Sequence, residues 1–155
     1  GDINEELSKD VMAALWYLQN NAKTIEPVNP EDPECEETKE VILPIEIVIS
    51  TNGGNADDMF AVYDAIRWIR KTIDVETYGL GKVMSAGTLL LAAGTKGKRK
   101  IGKHCRVMIH SVIGGSIGPM HQLTERKLRA LLKKKVNIYL TAEEAVEHGF
   151  ADIIV

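Results

Sequence analysis

Ser85 and His110 are the residues best suited by type and surroundings to covalent chemistry in this chain. Ser85 stands between Gly81 and Gly87, where an apolar strand gives way to the small-residue run Thr88-Leu89-Leu90-Leu91-Ala92-Ala93. Small neighbours permit a tight turn. A helix starting there aims its unpaired N–H groups at the serine's surroundings, where charge developing on an attacked carbonyl is stabilised. This follows the logic of a nucleophile elbow without its G-x-S-x-G spacing. A serine at a helix start is also a helix cap, and that reading stands beside the first. His110 ends the apolar run Arg106-Val107-Met108-Ile109. A strand tip there holds an imidazole rigidly, either with one nitrogen facing a cleft or as a hydrogen-bonded structural group. Gly53-Gly54 follows a second apolar run, and glycines beyond a strand's carboxyl end let the backbone approach a substrate and offer N–H donors. They also make an ordinary turn. Gly114-Gly115, four residues past His110, suits a strand edge that pairs with an extended peptide, or a plain loop. His104, His121 and His148 sit in polar or helical-surface contexts and receive no role.

These groups need elements to hold them. Residues 4–19 carry Leu7, Val11, Ala14, Leu15 and Leu18 at helical spacing, which predicts a helix with that face inward. Residues 26–40 hold seven acidic side chains and Pro27, Pro30 and Pro33, which predicts a solvated insertion loop; an acidic docking segment is the functional alternative. Ile45-Glu46-Ile47-Val48-Ile49 reads as a central parallel strand buried on both faces, with Pro44 at its start. Asn55 should cap a helix running to about Lys71, with Met59, Val62, Tyr63, Ile66 and Ile69 inward. Strands are expected at 75–80, 98–101, 106–109, 138–140 and 150–155, and a basic amphipathic helix at 123–135. Thr141-Ala142-Glu143-Glu144 reads as a capping box. Alternating strands and helices predict one α/β domain with right-handed crossovers.

Composition narrows the function. The chain has 155 residues, with 19 Lys+Arg against 22 Asp+Glu, so no basic excess exists to displace counterions from a nucleic acid. No apolar run reaches transmembrane length and no signal peptide is visible at Gly1-Asp2-Ile3-Asn4, so no membrane partner is expected. Two cysteines without zinc spacing predict a reducing, cytoplasmic setting and neither metal nor cofactor. There is no P-loop, so any ATP dependence must come from a partner.

Taken in order, four segments resemble the proteolytic subunit of the Clp protease, the ClpP family, over essentially the whole chain. They are Ile49-Ser50-Thr51-Asn52-Gly53-Gly54, then Gly81-Lys82-Val83-Met84-Ser85-Ala86-Gly87, then Arg106-Val107-Met108-Ile109-His110, then Leu140-Thr141-Ala142-Glu143-Glu144. The resemblance implies a ClpP/crotonase-like α/β fold of repeated β-β-α units with a handle helix in the region 119–136. It implies that Ser85 is the nucleophile and His110 the general base, with the N–H groups of Gly54 and Ala86 as the oxyanion hole. Substrate would lie as a strand on Ser111, Val112, Ile113, Gly114 and Gly115. The partners implied are further copies of the chain in a heptameric ring or stacked double ring, an AAA+ unfoldase ATPase, and unfolded polypeptides.

Three departures qualify the resemblance. The family's third triad member is an aspartate just before the Leu140-Thr141-Ala142 motif, and here that position is Asn137. An asparagine can hold the imidazole but cannot stabilise imidazolium by charge. The interval from His110 to Asn137 implies a shortened handle, so either ring stacking differs or residues are missing there; the second is favoured, with residues also missing upstream of Gly1, where the family has a further strand. The acidic insertion is not a normal part of the family and fits a divergent or phage-encoded member. Asp152 matches a structural aspartate of the family and is left out of the site. Two other readings keep the fold: a catalytically inactive ring subunit regulating an active paralogue, and an acyl-CoA hydratase-type enzyme, for which no glutamate is suitably placed.

Overall fold

The computed structural model of the protein describes residues 1–31, 36–110 and 137–155. The helix expected at 123–135, and with it the handle region, lies outside the described residues. Among the described residues twelve elements follow one another: α1 (Glu5–Asn21), β1 (Lys23–Pro27), β2 (Thr38–Ile42), β3 (Ile45–Thr51), α2 (Ala56–Ile69), β4 (Val75–Met84), α3 (Ala86–Ala93), β5 (Arg99–Ile101), β6 (Arg106–Ile109), β7 (Ile138–Leu140), α4 (Ala142–Glu147) and β8 (Ile153–Ile154). The chain is α/β, as its alternating pattern predicts.

β4 organises the main sheet. β3 runs parallel along one side of it. On the other side, β5 pairs with Thr77–Gly79 and β6 with Lys82–Met84, both parallel. β8 extends the sheet beyond β5 in parallel, and β7 extends it beyond β6 antiparallel. One strand can serve two successive neighbours because it is bulged. Ile49 faces Gly79, whereas Thr51, two residues on, faces Val83, four residues on. Gly81 takes φ +67° inside this irregularity, a conformation that suits glycine. The strand expected to end at Leu80 runs on through this bulge to Met84.

Two apolar clusters fill the helix-covered side. Leu15, Val62, Ala65, Ile66, Ile69, Val75 and neighbours join α1 and α2 to the start of the sheet. Val83, Leu91, Ile101, Val107, Leu140, Phe150 and neighbours join α3 and α4 to its far half. The α2 prediction holds: Asn55 Oδ1 accepts from the Asp57 and Asp58 N–H groups, and Met59, Val62, Ile66 and Ile69 are buried. The capping box at Thr141 and Glu144 also forms.

Three expectations are corrected. β3 is not buried on both faces: Ile45, Ile49 and Thr51 are buried, but Val48 is 65% exposed. The sheet's second face is open there, and its side chains form a polar network. The Tyr78 hydroxyl lies 3.1 Å from carboxylate oxygens of both Glu46 and Glu76, and Lys100 donates to Tyr78 and Glu76. In α1 only Leu15 of the expected face is buried, with Val11 and Met12 half-buried beside it, while Leu7 and Leu18 are exposed. The acidic segment is not all loop. Its flanks form the antiparallel β1–β2 hairpin, solvated on both faces, with Lys23 bridging Glu40.

Asp152 is structural, as expected. Its carboxylate accepts from the Gly97 and Arg99 N–H groups and from the guanidinium of Arg99, which is itself only 4% exposed. Burial pushes this carboxyl upward, but the hydrogen bonds and charge of Arg99 outweigh burial and hold it below the usual range. A value lower in the folded state than in the unfolded one contributes stability that is whole at neutral pH. That contribution is lost as the pH falls through the folded value. Asp152→Asn should therefore cost about 3 kcal/mol in urea unfolding at pH 7. The gap from wild type should narrow below about pH 4.

Candidate active site

The site is assembled where β4 ends. Ser85 follows Met84 directly and has φ 54° and ψ −122°, the one positive φ of a non-glycine among the described residues. Such a conformation costs on the order of 1–3 kcal/mol and persists only where its surroundings fix it. They do so from both sides. The Ser85 N–H donates to the Met108 carbonyl of β6 at 2.7 Å. The Ser85 carbonyl accepts from the Thr88 N–H at 3.0 Å and from Thr88 Oγ1 at 2.7 Å. The chain is pinned to the neighbouring strand before the residue and to the first turn of α3 after it.

The side chain does not take the capping role that the sequence also allows. Although Ser85 occupies the N-cap position of α3, its side chain makes no capping hydrogen bond. Its Oγ instead lies 2.7 Å from His110 Nε2. The register explains the meeting. Met84 pairs with Met108, so β4 and β6 deliver the next residues side by side, with His110 just past the end of β6. Both residues are half-buried, which leaves the pair accessible.

The glycine turn after β3 closes over the serine. A Cβ placed on Gly53 would lie 2.7 Å from Ser85 Cβ and 3.2 Å from its Oγ. Only a residue without a side chain brings the backbone this close. Thr51 Oγ1 accepts from the Gly53 N–H at 3.0 Å, and Lys82 Nζ holds Asn52 Oδ1 at 2.8 Å. Ala86, the first residue of α3, has no intrahelical acceptor for its N–H. Gly54 forms a parallel bridge with Ile3, but the groups paired there are the Gly53 carbonyl and the Asn55 N–H, not the Gly54 N–H. Both N–H groups thus belong to residues next in sequence to the close Gly53–Ser85 contact.

Asn137 is exposed and precedes β7, one step beyond the Ile109–Ile138 pair, so the register sets it opposite His110. Ser111 to Gly115, expected to hold substrate, lie outside the described residues. Sequence reasoning passed over Ile3, Thr51, Thr88 and the Met108 carbonyl. These act largely through main-chain or short polar groups, which leave no periodicity and no motif.

Gly87 is needed for contact rather than conformation. A Cβ there would come within 2.3 Å of Thr51 Cγ2, where α3 rests on the end of β3. Gly87→Ala should cost about 1–3 kcal/mol in thermal unfolding. Thr51→Ser in the same chain removes that methyl and keeps the hydroxyl, and it should return at least half of the loss.

Comparison with known proteins bears on the family. The Clp protease family model matches residues 35–138. Proteolytic subunit 2 of the ATP-dependent Clp protease of Chlamydia pneumoniae is 34% identical over 176 aligned positions, covering 99% of this chain and 77% of that protein. Proteolytic subunit 1 of Chlamydia felis is 32% identical over the same span, and proteolytic subunit 1 of Gloeobacter violaceus is 27% identical with 79% of its length covered. An alignment of 176 positions against a chain of 155 leaves at least 21 positions of each relative without a counterpart here. Fold, matched region and relatives lead to one assignment: the chain belongs to the Clp protease family and is a protease subunit of the ClpP type.

Proposed function

We propose that this subunit is a serine endopeptidase acting through Ser85, His110 and Asn137, with the Gly54 and Ala86 N–H groups as its oxyanion hole. The observation that carries the reading is the 2.7 Å approach of Ser85 Oγ to His110 Nε2 by a serine held at positive φ without a capping bond. In the neutral ring protonated on Nδ1, Nε2 accepts the Ser85 hydroxyl proton while Oγ attacks a peptide carbonyl. The carbonyl oxygen gains negative charge facing the two amides. The tetrahedral intermediate collapses as the imidazolium returns its proton to the leaving amine. Water, deprotonated by the same ring, then releases the acyl group and restores the hydroxyl.

Asn137 stands in register with the imidazole. As a hydrogen-bond acceptor it would hold Nδ1–H and fix the tautomer, though without the charge of an aspartate. Ser111 to Gly115 would pair with the substrate as a strand. The relatives are named as subunits of an ATP-dependent protease. By that likeness, copies of this chain assemble into a heptameric ring or a stacked pair of rings. An AAA+ unfoldase would feed them unfolded polypeptide in the cytoplasm. Among the described residues no helix is long and apolar enough to cross a membrane. The whole chain would act as one peptidase domain, with residues 26–40 an insertion upon it.

Asn137, exposed and without the charge of an aspartate, favours a second reading, an inactive subunit that regulates an active paralogue. A fluorophosphonate probe separates the two. Labelling of wild type and its loss in Ser85→Ala support the peptidase, whereas an unlabelled wild type supports the inactive subunit. His110→Ala should reduce peptide hydrolysis by at least about 10³-fold. Asn137→Asp should raise kcat. An unchanged or lower rate would remove Asn137 from the triad.

A further inference from the structure

The peptide between Gly53 and Gly54 joins two residues that have no side chain to hold it. The two glycines have φ of 104° and 153°, and neither has a Cβ to hinder rotation of the plane between them. The peptide is planar and trans, so the Gly53 carbonyl and the Gly54 N–H point in opposite directions. Fixing one therefore aims the other. The Ile3 N–H donates to the Gly53 carbonyl at 2.8 Å, and the Ile3 carbonyl accepts from the Asn55 N–H at 2.9 Å. The main chain of Ile3 thus grips the glycine peptide on both flanks. Thr51 Oγ1 is a weaker second donor to the same carbonyl, at 3.4 Å.

The grip has firm footing. The Ile3 side chain is 5% exposed, and the next residue, Asn4, caps α1 by accepting from the Leu7 N–H. The approach is close: a Cβ on Gly54 would sit 2.1 Å from the Ile3 carbonyl oxygen and 2.7 Å from its nitrogen.

We infer that Ile3 is a positioning residue of the active site, whose N–H holds the Gly53 carbonyl back so that the Gly54 N–H stays turned toward the reacting carbonyl. Without that bond the glycine peptide is free to flip. The flipped plane presents a carbonyl oxygen to the developing oxyanion, so a donor is replaced by a repulsive acceptor. The inference rests on the serine peptidase reading.

Two variants remove the N–H: Ile3→Pro, and Ile3 replaced by its α-hydroxy acid through nonsense suppression, which exchanges N–H for oxygen and keeps the side chain. Each is compared with Ile3→Val, which retains donor and burial. Kinetics on a fluorogenic peptide are measured beside the affinity of a peptide boronate, whose hydroxyl occupies the oxyanion position, and of the corresponding cleaved peptide. Loss of one well-aimed oxyanion donor typically costs 10²–10³ in kcat, and a flip that is partial should cost about 10–100-fold. KM and cleaved-peptide affinity should change less than about twofold, while boronate affinity falls in parallel with kcat and Ile3→Val stays near wild type. A structural role alone would lower the melting temperature and leave the boronate-to-peptide affinity ratio unchanged. If Ile3→Pro fails to fold, the α-hydroxy acid variant decides. An active wild type whose N–H-less variants keep kcat within twofold, or lose kcat without losing boronate affinity, overturns this inference alone. A wild type that neither hydrolyses peptide nor takes the fluorophosphonate overturns the peptidase reading and this inference with it.

Discussion

The site depends on one piece of main-chain pairing, the parallel contact of Lys82–Met84 with Arg106–Met108, extended by the Ser85 N–H to the Met108 carbonyl. This contact sets the end of β4 beside the end of β6. It thereby brings together two side chains 25 residues apart in sequence. β4 is irregular against β3 around Gly81, and it pairs with β5 before that point and with β6 after it.

Crowding of backbone against backbone completes the arrangement. Gly53 lies against Ser85, Gly54 against Ile3, and Gly87 against Thr51. At Gly53 and Gly87 a side chain would force the turn after β3 away from α3, and at Gly54 away from Ile3. The strain at Ser85, on the order of 1–3 kcal/mol, is offset by three hydrogen bonds to its own peptide groups and by the packing of α3 beneath it. The strained residue is also the one that carries the hydroxyl. The strain keeps Oγ out of the capping position that a relaxed serine would take.

Much of this was legible in the sequence, and the exceptions have physical causes. α2 was readable because a helix covered on one side leaves a 3.6-residue apolar period. α1 was misread because its apolar residues spread over more of its circumference than the core covers, so Leu7, Trp16 and Leu18 stay exposed. The β-branched run of β3 suggested burial on both faces, yet the sheet's second face is occupied by Glu46, Glu76, Tyr78 and Lys100 bonding to one another. The hairpin in the acidic segment left no apolar alternation, because a ladder solvated on both faces does not need one. Ser85 and His110 were recognisable from small neighbours, strand ends and family likeness. The hold of Ile3 on the glycine peptide was not, since main-chain bonds leave little mark on side-chain identity.

The most direct test of the account is the ¹⁵N NMR signature of the His110 imidazole in the resting protein. The proposed chemistry requires a neutral ring protonated on Nδ1, with Nε2 accepting a hydrogen bond from Ser85 Oγ. The account predicts an acceptor-type Nε2 resonance that shifts when Ser85 is replaced by alanine, beside a protonated Nδ1. A neutral ring protonated on Nε2, or an Nε2 resonance indifferent to Ser85→Ala, would contradict it.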